Sequence, residues 1–331
     1  MGRIVKWKTA LARLVSVVIA MGFSACSVLP DEQPAPEPPE RVEQSAEIPV
    51  LPPAPAPTPG KAKKAARPQP ISSALSIVLT SGAPAYADVA TELKDRFENH
   101  DVYNLADDER PPVSILRLIN DSDSGIVVAI GHRAAVSSIA LANKPVVFSQ
   151  VFNYEDLLTE RSRGVSPIPP VDAQMAAWKE LNPSLSRIGI IIGKGHDDLI
   201  AEVKNAAEAH GIEILAHEAD SDQETLFIFK RMIRSIDGFW LFSDNRVLSP
   251  RALQQIIATA NRLKVPILAP TESLLAAGAD ISISSVPANI AATIERIVRQ
   301  IEAGRLHEVP AISPLSEIRV VVGRGPGIAR R

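Results

Sequence analysis

The sequence predicts an α/β protein with two lobes, each a doubly wound parallel sheet, facing each other across a cleft. Three observations carry this. From Leu75 onward, short β-branched runs alternate with amphipathic helical stretches, which is the pattern of parallel strands joined by crossover helices and covered on both faces. That alternation occurs twice, over stretches of similar size, on either side of Gly164. Residues 30–70 share none of it and hold nearly half of the 28 prolines in the chain.

In the first run, Ser76 to Thr80 reads as a buried strand. Pro84 to Asn99 follows as a helix, with Val89, Leu93 and Phe97 at four-residue spacing on one face. Val102 to Leu105 is a weaker strand, Val113 to Asn120 a helix, and Gly125 to Ile130 a strand ending at Gly131. Ala134 to Ala142 is a helix and Pro145 to Ser149 a strand. In the second run Val171 to Leu181 is helical and Arg187 to Ile192 is a strand ending at Gly193. The helix Asp198 to His210 stops at Gly211. After it come strand Glu213 to Ala216, helix Glu224 to Ile236, strand Gly238 to Phe242, helix Pro250 to Arg262 and strand Val265 to Ala269. A strand from Asp280 to Ser284, a long helix from Ala288 to Ala303 and a last strand from Ile318 to Val322 complete the pattern, before a Gly/Arg tail.

Composition narrows the class. With 331 residues and 46% hydrophobic content, the chain has material for about two packed domains and is not globally disordered. A net charge of -3 with no basic face argues against a nucleic-acid partner. No second long apolar stretch follows the N-terminal one, so the mature chain is not expected to cross a membrane.

The N-terminus reads as a secretory signal. A basic start (Arg3, Lys6, Lys8, Arg13), an apolar run from Leu14 to Phe23 and the small pair Ser24-Ala25 precede Cys26, the single cysteine. Phe23-Ser24-Ala25-Cys26 resembles a lipobox, so residues 1–25 are expected to be a lipoprotein signal peptide and Cys26 the lipidated first mature residue. An N-terminal membrane anchor is the alternative, although the apolar run is short for a bilayer. Residues 26–72 are read as a disordered tether, whose forty or so residues reach on the order of 100 Å if extended as polyproline II.

A series of stretches downstream resembles one family. They are Asp123-Ser124-Gly125-Ile126-Val127-Val128-Ala129-Ile130-Gly131, Lys144-Pro145-Val146-Val147-Phe148, Gly164-Val165-Ser166, Leu181-Asn182-Pro183 with Arg187-Ile188-Gly189, Asp237-Gly238-Phe239-Trp240-Leu241 ending at Asp244, Lys264-Val265-Pro266-Ile267 and Ala277-Gly278-Ala279-Asp280. Together they resemble the ABC-transporter substrate-binding proteins of the type that binds aromatic amino acids, which have the type I periplasmic-binding-protein fold. The chain departs from that family in a short first lobe without a visible glycine-rich helix, and in a C-terminal strand that runs into Gly323-Arg324-Gly325-Pro326-Gly327. The resemblance implies three crossings between lobes, placed near Phe152–Gly164, Ala279–Ile281 and Leu306–Pro310. Lobe 1 would then hold residues 73–152 and 281–306, and lobe 2 residues 153–280 and 307–331.

In a parallel sheet, ligands bind beyond the carboxyl ends of the strands, where helix N-termini favour anions. That rule selects Ser81 and Gly82, His132 and Arg133, and Gln150 in the first lobe, and Asp197, Asp244 and Glu272 in the second. Ser81 and Arg133 are expected to take a carboxylate, and Asp244 or Glu272 an amine. Plainer roles compete: Gly131 and Gly193 as turn residues, Asp197 as a helix cap, Asp244 as a cap or surface pair, and Trp240 and Trp178 as core.

Catalytic motifs are missing. Gly193-Lys194-Gly195 is half a dinucleotide fingerprint, but Asp198 stands where the third glycine belongs. No P-loop and no Gly-x-Ser-x-Gly elbow occurs, and His196-Asp197-Asp198 reads as an acidic helix start rather than a metal site. The expectation is a non-enzyme without cofactor or metal. It would be a lipid-anchored periplasmic protein that binds a small polar or amino-acid-like solute for an ABC-type uptake system. The alternative is an envelope lipoprotein that uses the same fold to touch another envelope protein. Ser27, which is not aspartate, favours the outer membrane.

Overall fold

The computed structural model describes residues 74–107 and 110–323. The expected signal peptide (residues 1–25), Cys26, Ser27, the expected tether and the tail after Gly323 lie outside the described residues.

The first sheet has six strands: β1 (Leu75–Leu79), β2 (His100–Asn104), β3 (Ile126–Ile130), β4 (Val146–Ser149), β5 (Ser162–Val165) and β11 (Ile312–Ser313), in the order β11-β5-β4-β3-β1-β2. All its pairings are parallel. Strand alternation sends Leu75, Ile77 and Leu79 to one face, against α1 (Pro84–Lys94) and α9 (Pro287–Glu302), and Val78 to the other, with residues of α2 (Pro112–Asp121) and α3 (His132–Leu141). Both faces are dry, which explains why β1 and β3 read as unbroken apolar runs.

The second sheet repeats the plan. It holds β6 (Arg187–Gly193), β7 (Glu213–Ala219), β8 (Gly238–Trp240), β9 (Ile267–Ala269), β10 (Ile281–Ser285) and β12 (Ile318–Val322), ordered β12-β10-β9-β8-β6-β7. Ile188, Ile190 and Ile192 of β6 pack with α4 (Val171–Leu181) and α5 (Asp197–Ala209), and Ile191 packs with α6 (Asp222–Met232) and α7 (Pro250–Leu263). Trp178 is fully buried in the first of these cores, as its helical spacing predicts. Its indole lies against Gly238, where a Cβ would come within 2.6 Å of the ring. Strand β12 alone runs antiparallel, against β10.

The lobe boundaries differ from the expected ones. The chain does not cross after Phe152. It stays in the first lobe through β5, whose Gly164 pairs with Phe148 of β4 and with Ile312 of β11. A Cβ on Gly164 would meet Phe148 and Ile312 at 2.5 Å, so the strand fits there only because it carries a glycine. Ile281 does not return to lobe 1 either, since β10 pairs with β9 and β12 of the second sheet. The crossings therefore fall at 166–170, at Val286 and at 314–317. Helix α9 does return, packing Ile290, Ile294 and Ile297 into the first core. Its Glu295 receives hydrogen bonds from Arg96 Nη1 at 2.8 Å and Arg299 Nη2 at 2.9 Å. Helix α1 ends at Lys94 rather than near Asn99, although Phe97 remains on the buried stripe.

Candidate functional site

A cavity of ≈ 390 Å³ lies between the lobes. The first lobe contributes Ala83 to Ala85 and Asp88 at the start of α1, together with Gln150 and Phe152 after β4. The second contributes Trp240 to Ser243 after β8, Pro270 to Ser273 after β9, and Arg319 of β12. Two crossing segments, around Ile168 and Ser285, close the remaining side. This is the location that the carboxyl-end rule predicts.

Its floor is aromatic. Trp240 and Phe242 have ring centroids 4.7 Å apart, and Phe242 and Phe152 5.8 Å apart. Trp240 is buried, as its strand position predicts, and it also lines the cavity. One wall is charged. Arg319 Nε lies 2.8 Å from Glu272 Oε1, and Arg319 stands directly opposite Ser284 across the β10–β12 ladder. The cavity thus offers flat apolar surface beside hydroxyls and one guanidinium–carboxylate pair, the usual composition of a small-solute site.

Two of the sequence-selected residues reach this cavity. Glu272 does so through its pair with Arg319. Gln150 lies on the wall with a left-handed backbone (φ 59°), and its side-chain Nε2 donates to Ala85 O at 3.1 Å. A non-glycine residue in that conformation is strained, and here the strain aims a side chain from the end of β4 at the start of α1.

The others lie elsewhere. Ser81 and Gly82 stop just short of the cavity wall, which begins at Ala83, and Ser81 Oγ accepts from Ala83 N–H at 3.4 Å. His132 and Arg133 are exposed on the first turn of α3, off the cavity wall. The start of that helix is already engaged, because Ala134 N–H donates to Thr80 Oγ1 at 3.0 Å. Gly131, at φ +87°, has room for no Cβ, which would meet Thr80 Oγ1 at 2.6 Å. Asp197 is the exposed first residue of α5; the cap position falls to His196. Among the described residues no group of three or more His, Cys, Asp or Glu side chains is arranged to hold a metal ion.

Asp244 is buried, at 1% exposure. Its carboxylate accepts five hydrogen bonds: Asn153 Nδ2 at 3.0 Å, Arg246 N at 3.1 Å and Arg246 Nε at 3.1 Å on Oδ1, and Gly193 N at 2.8 Å and Arg246 Nη2 at 3.2 Å on Oδ2. Burial opposes ionisation, but the hydrogen bonds from Arg246, Asn153 and Gly193 outweigh it, and the carboxyl sits below its ordinary pKa. Every lone pair is occupied, so Asp244 as placed has no acceptor free for a ligand amine. Gly193 is needed here for space rather than for a positive φ, since a Cβ would meet Asp244 Oδ2 at 2.7 Å.

The residues that sequence reading left out of the site include Asp88, Phe152, Trp240, Phe242, Ser284 and Arg319. Arg319 gives no local signal, because only the antiparallel turn-back of β12 sets it against Ser284.

The comparisons agree with this architecture. The family model described as ABC transporter substrate binding protein matches residues 89–322. A substrate-binding protein with adhesive properties from Clostridium difficile, in its ligand-free open form, aligns with TM-score 0.58 and 16% identity, over 78% of this chain and 96% of that one. A conserved domain protein from Vibrio cholerae aligns with TM-score 0.55 and 19% identity, over 78% and 96%. An ABC domain from Streptococcus pneumoniae, in complex with L-Trp, aligns with TM-score 0.54 and 16% identity, over 76% and 92%. No curated relative matches the sequence. Within the described residues no helix is long and apolar enough to cross a membrane. With two mostly parallel-sheet lobes, a cavity between them and a family match over most of its length, the chain belongs to the ABC-transporter substrate-binding proteins.

Proposed function

We propose that this protein is a lipid-anchored extracytoplasmic receptor that closes its lobes on a small amino-acid-like solute and hands it to an ABC permease. The cavity built from both lobes, with the Trp240–Phe242 floor beside the Glu272–Arg319 pair, carries the reading. The aromatic floor suits a flat or apolar solute body, and the charged wall suits a polar head. Gln150, Glu272 and Arg319 are the polar contacts proposed. Closure works by differential affinity: the solute binds the closed arrangement more tightly and shifts the population toward it. The L-Trp complex of the Streptococcus pneumoniae structure supports an amino-acid-like solute here.

Isothermal titration of the folded chain with a panel of amino acids and their carboxylate analogues tests the reading. Binding that weakens at least tenfold in Trp240→Ala and in Arg319→Ala is expected. Absence of any binding across the panel overturns it.

The N-terminal sequence favours a second reading, a non-transport envelope lipoprotein of the same fold. Ser27 after Cys26 and the long proline tether suit an outer-membrane anchor, from which an inner-membrane permease is remote. Membrane fractionation separates the two: inner-membrane recovery supports transport, and outer-membrane recovery with no solute binding supports the rival.

A further inference from the structure

Just beyond the cavity, polar groups from the two lobes meet. Asp244, Asn245 and Arg246 follow β8, and His196 follows β6, so all four belong to the second lobe. Asn153 and Glu155 lie between β4 and β5, so both belong to the first. Asn153 Nδ2 donates to Asp244 Oδ1 at 3.0 Å and lies 3.1 Å from Asn245 Oδ1. Glu155 Oε1 is 3.5 Å from His196 Nδ1. Arg246 Nη2 is 2.6 Å from His196 Nε2. Asn153 Oδ1 also lies 3.2 Å from His196 Nε2, so that imidazole nitrogen meets a donor from its own lobe and an acceptor from the other.

The second-lobe half of this cluster is preassembled. Gly193 N–H and Arg246 make four of the five hydrogen bonds to Asp244 from its own lobe, and Asn153 adds the fifth, on Oδ1. The cluster also touches the cavity wall from behind, because His196 packs at a tilt against Phe152 with centroids 4.8 Å apart and Phe152 packs on Phe242. Asn153 directly follows Phe152, and Asp244 directly follows Ser243, both wall residues.

We propose that Asn153 is a latch residue. It inserts into a socket made by Asp244, Asn245 and His196, and it sets how much of the protein is closed without touching the solute. Opening the lobes breaks a hydrogen bond to a buried carboxylate and leaves that oxygen to be rehydrated, so the latch favours closure even with no solute present. Its removal lowers the closed-to-open ratio roughly tenfold, and the apparent affinity of any solute that requires closure falls in proportion to the lost closed fraction. Only this consequence for affinity rests on the function proposed above.

The test needs no ligand. In the full chain carrying Cys26→Ser, spin labels at Asp101→Cys on β2 and Glu208→Cys on α5, both exposed, report the lobe separation by pulsed electron resonance. Expected is a shift of the ligand-free distance distribution to longer separations in Asn153→Ala, and a larger shift in Asn153→Asp, which sets a second carboxylate against Asp244. A distribution like that of the unmutated protein in both variants overturns the latch. A protein that binds no solute but shows the shift retains the latch and loses the transport reading, so the two failures are distinguishable.

Discussion

Asp244 and Glu272 follow neighbouring strands of the same sheet, and the fold treats the two carboxylates in opposite ways. Asp244 is buried, takes five hydrogen bonds and joins the lobes. Glu272 keeps 39% of its side chain exposed, holds one guanidinium and faces the cavity. Both satisfy the same positional rule for a ligand residue. The difference comes from the neighbours: Gly193 and Arg246 close around one carboxylate, while a distant edge strand brings Arg319 to the other. A carboxylate at a strand end is therefore a site residue only if its own lobe has not already consumed it.

Substitution of Asp244 should break the comparison most sharply. Asp244→Ala orphans the buried Gly193 N–H and removes the Arg246 partner, so a loss of about 2–3 kcal/mol is expected in urea unfolding. A loss below half of that would mean the socket rearranges freely. Gly193→Ala should be next, since its Cβ must displace the Asp244 carboxylate or Arg246, at about 1–2 kcal/mol by the same measurement.

Acid should act on the same cluster through His196. Burial pushes its pKa below the ordinary imidazole value of about 6.5, and Arg246 lowers it further, while Glu155, Asp244 and Glu218 pull it up. In the window below that value the unfolded chain binds the proton more readily than the folded one. The stability from neutral His196 is thus complete above the unfolded value and is lost as the pH falls from there toward the folded pKa. Thermal melts across pH 5–8 should decline on the acid side, and His196→Gln should flatten that decline; an equal decline in the variant would place the effect elsewhere. The smallest change is expected at the other carboxylate. Glu272→Ala removes a largely solvated pair and should cost under about 1 kcal/mol of stability, with its effect appearing in solute affinity instead.

The same contrast shows what was legible beforehand. Strand runs such as Ile77-Val78-Leu79 and Ile126 to Ile130 announced buried parallel strands, because both faces of these central strands are dry and no alternation was needed. The short strands β5 and β11 were not legible, since Ser162-Arg163-Gly164-Val165 and Ile312-Ser313 have too little apolar content to stand out. Missing them moved the first and third expected crossings, while Ile281 went to the wrong lobe because the resemblance set the second crossing before β10 instead of after it. At the site, strand ends gave Gln150 and Glu272 their place, but the same rule also admitted His132, Arg133 and Asp197, which lie exposed off the cavity wall.

By itself the sequence determined the α/β class, the duplicated sheet and the family, because periodicity and strand burial are local consequences of side-chain order. Only the tertiary structure decided which carboxylate faces the cavity, which arginine pairs with it, and that Asn153 of one lobe meets Asp244 of the other. Those contacts join residues 47 to 91 positions apart across separate strands, and the packing of the two sheets, not any local pattern, brings them within hydrogen-bond reach.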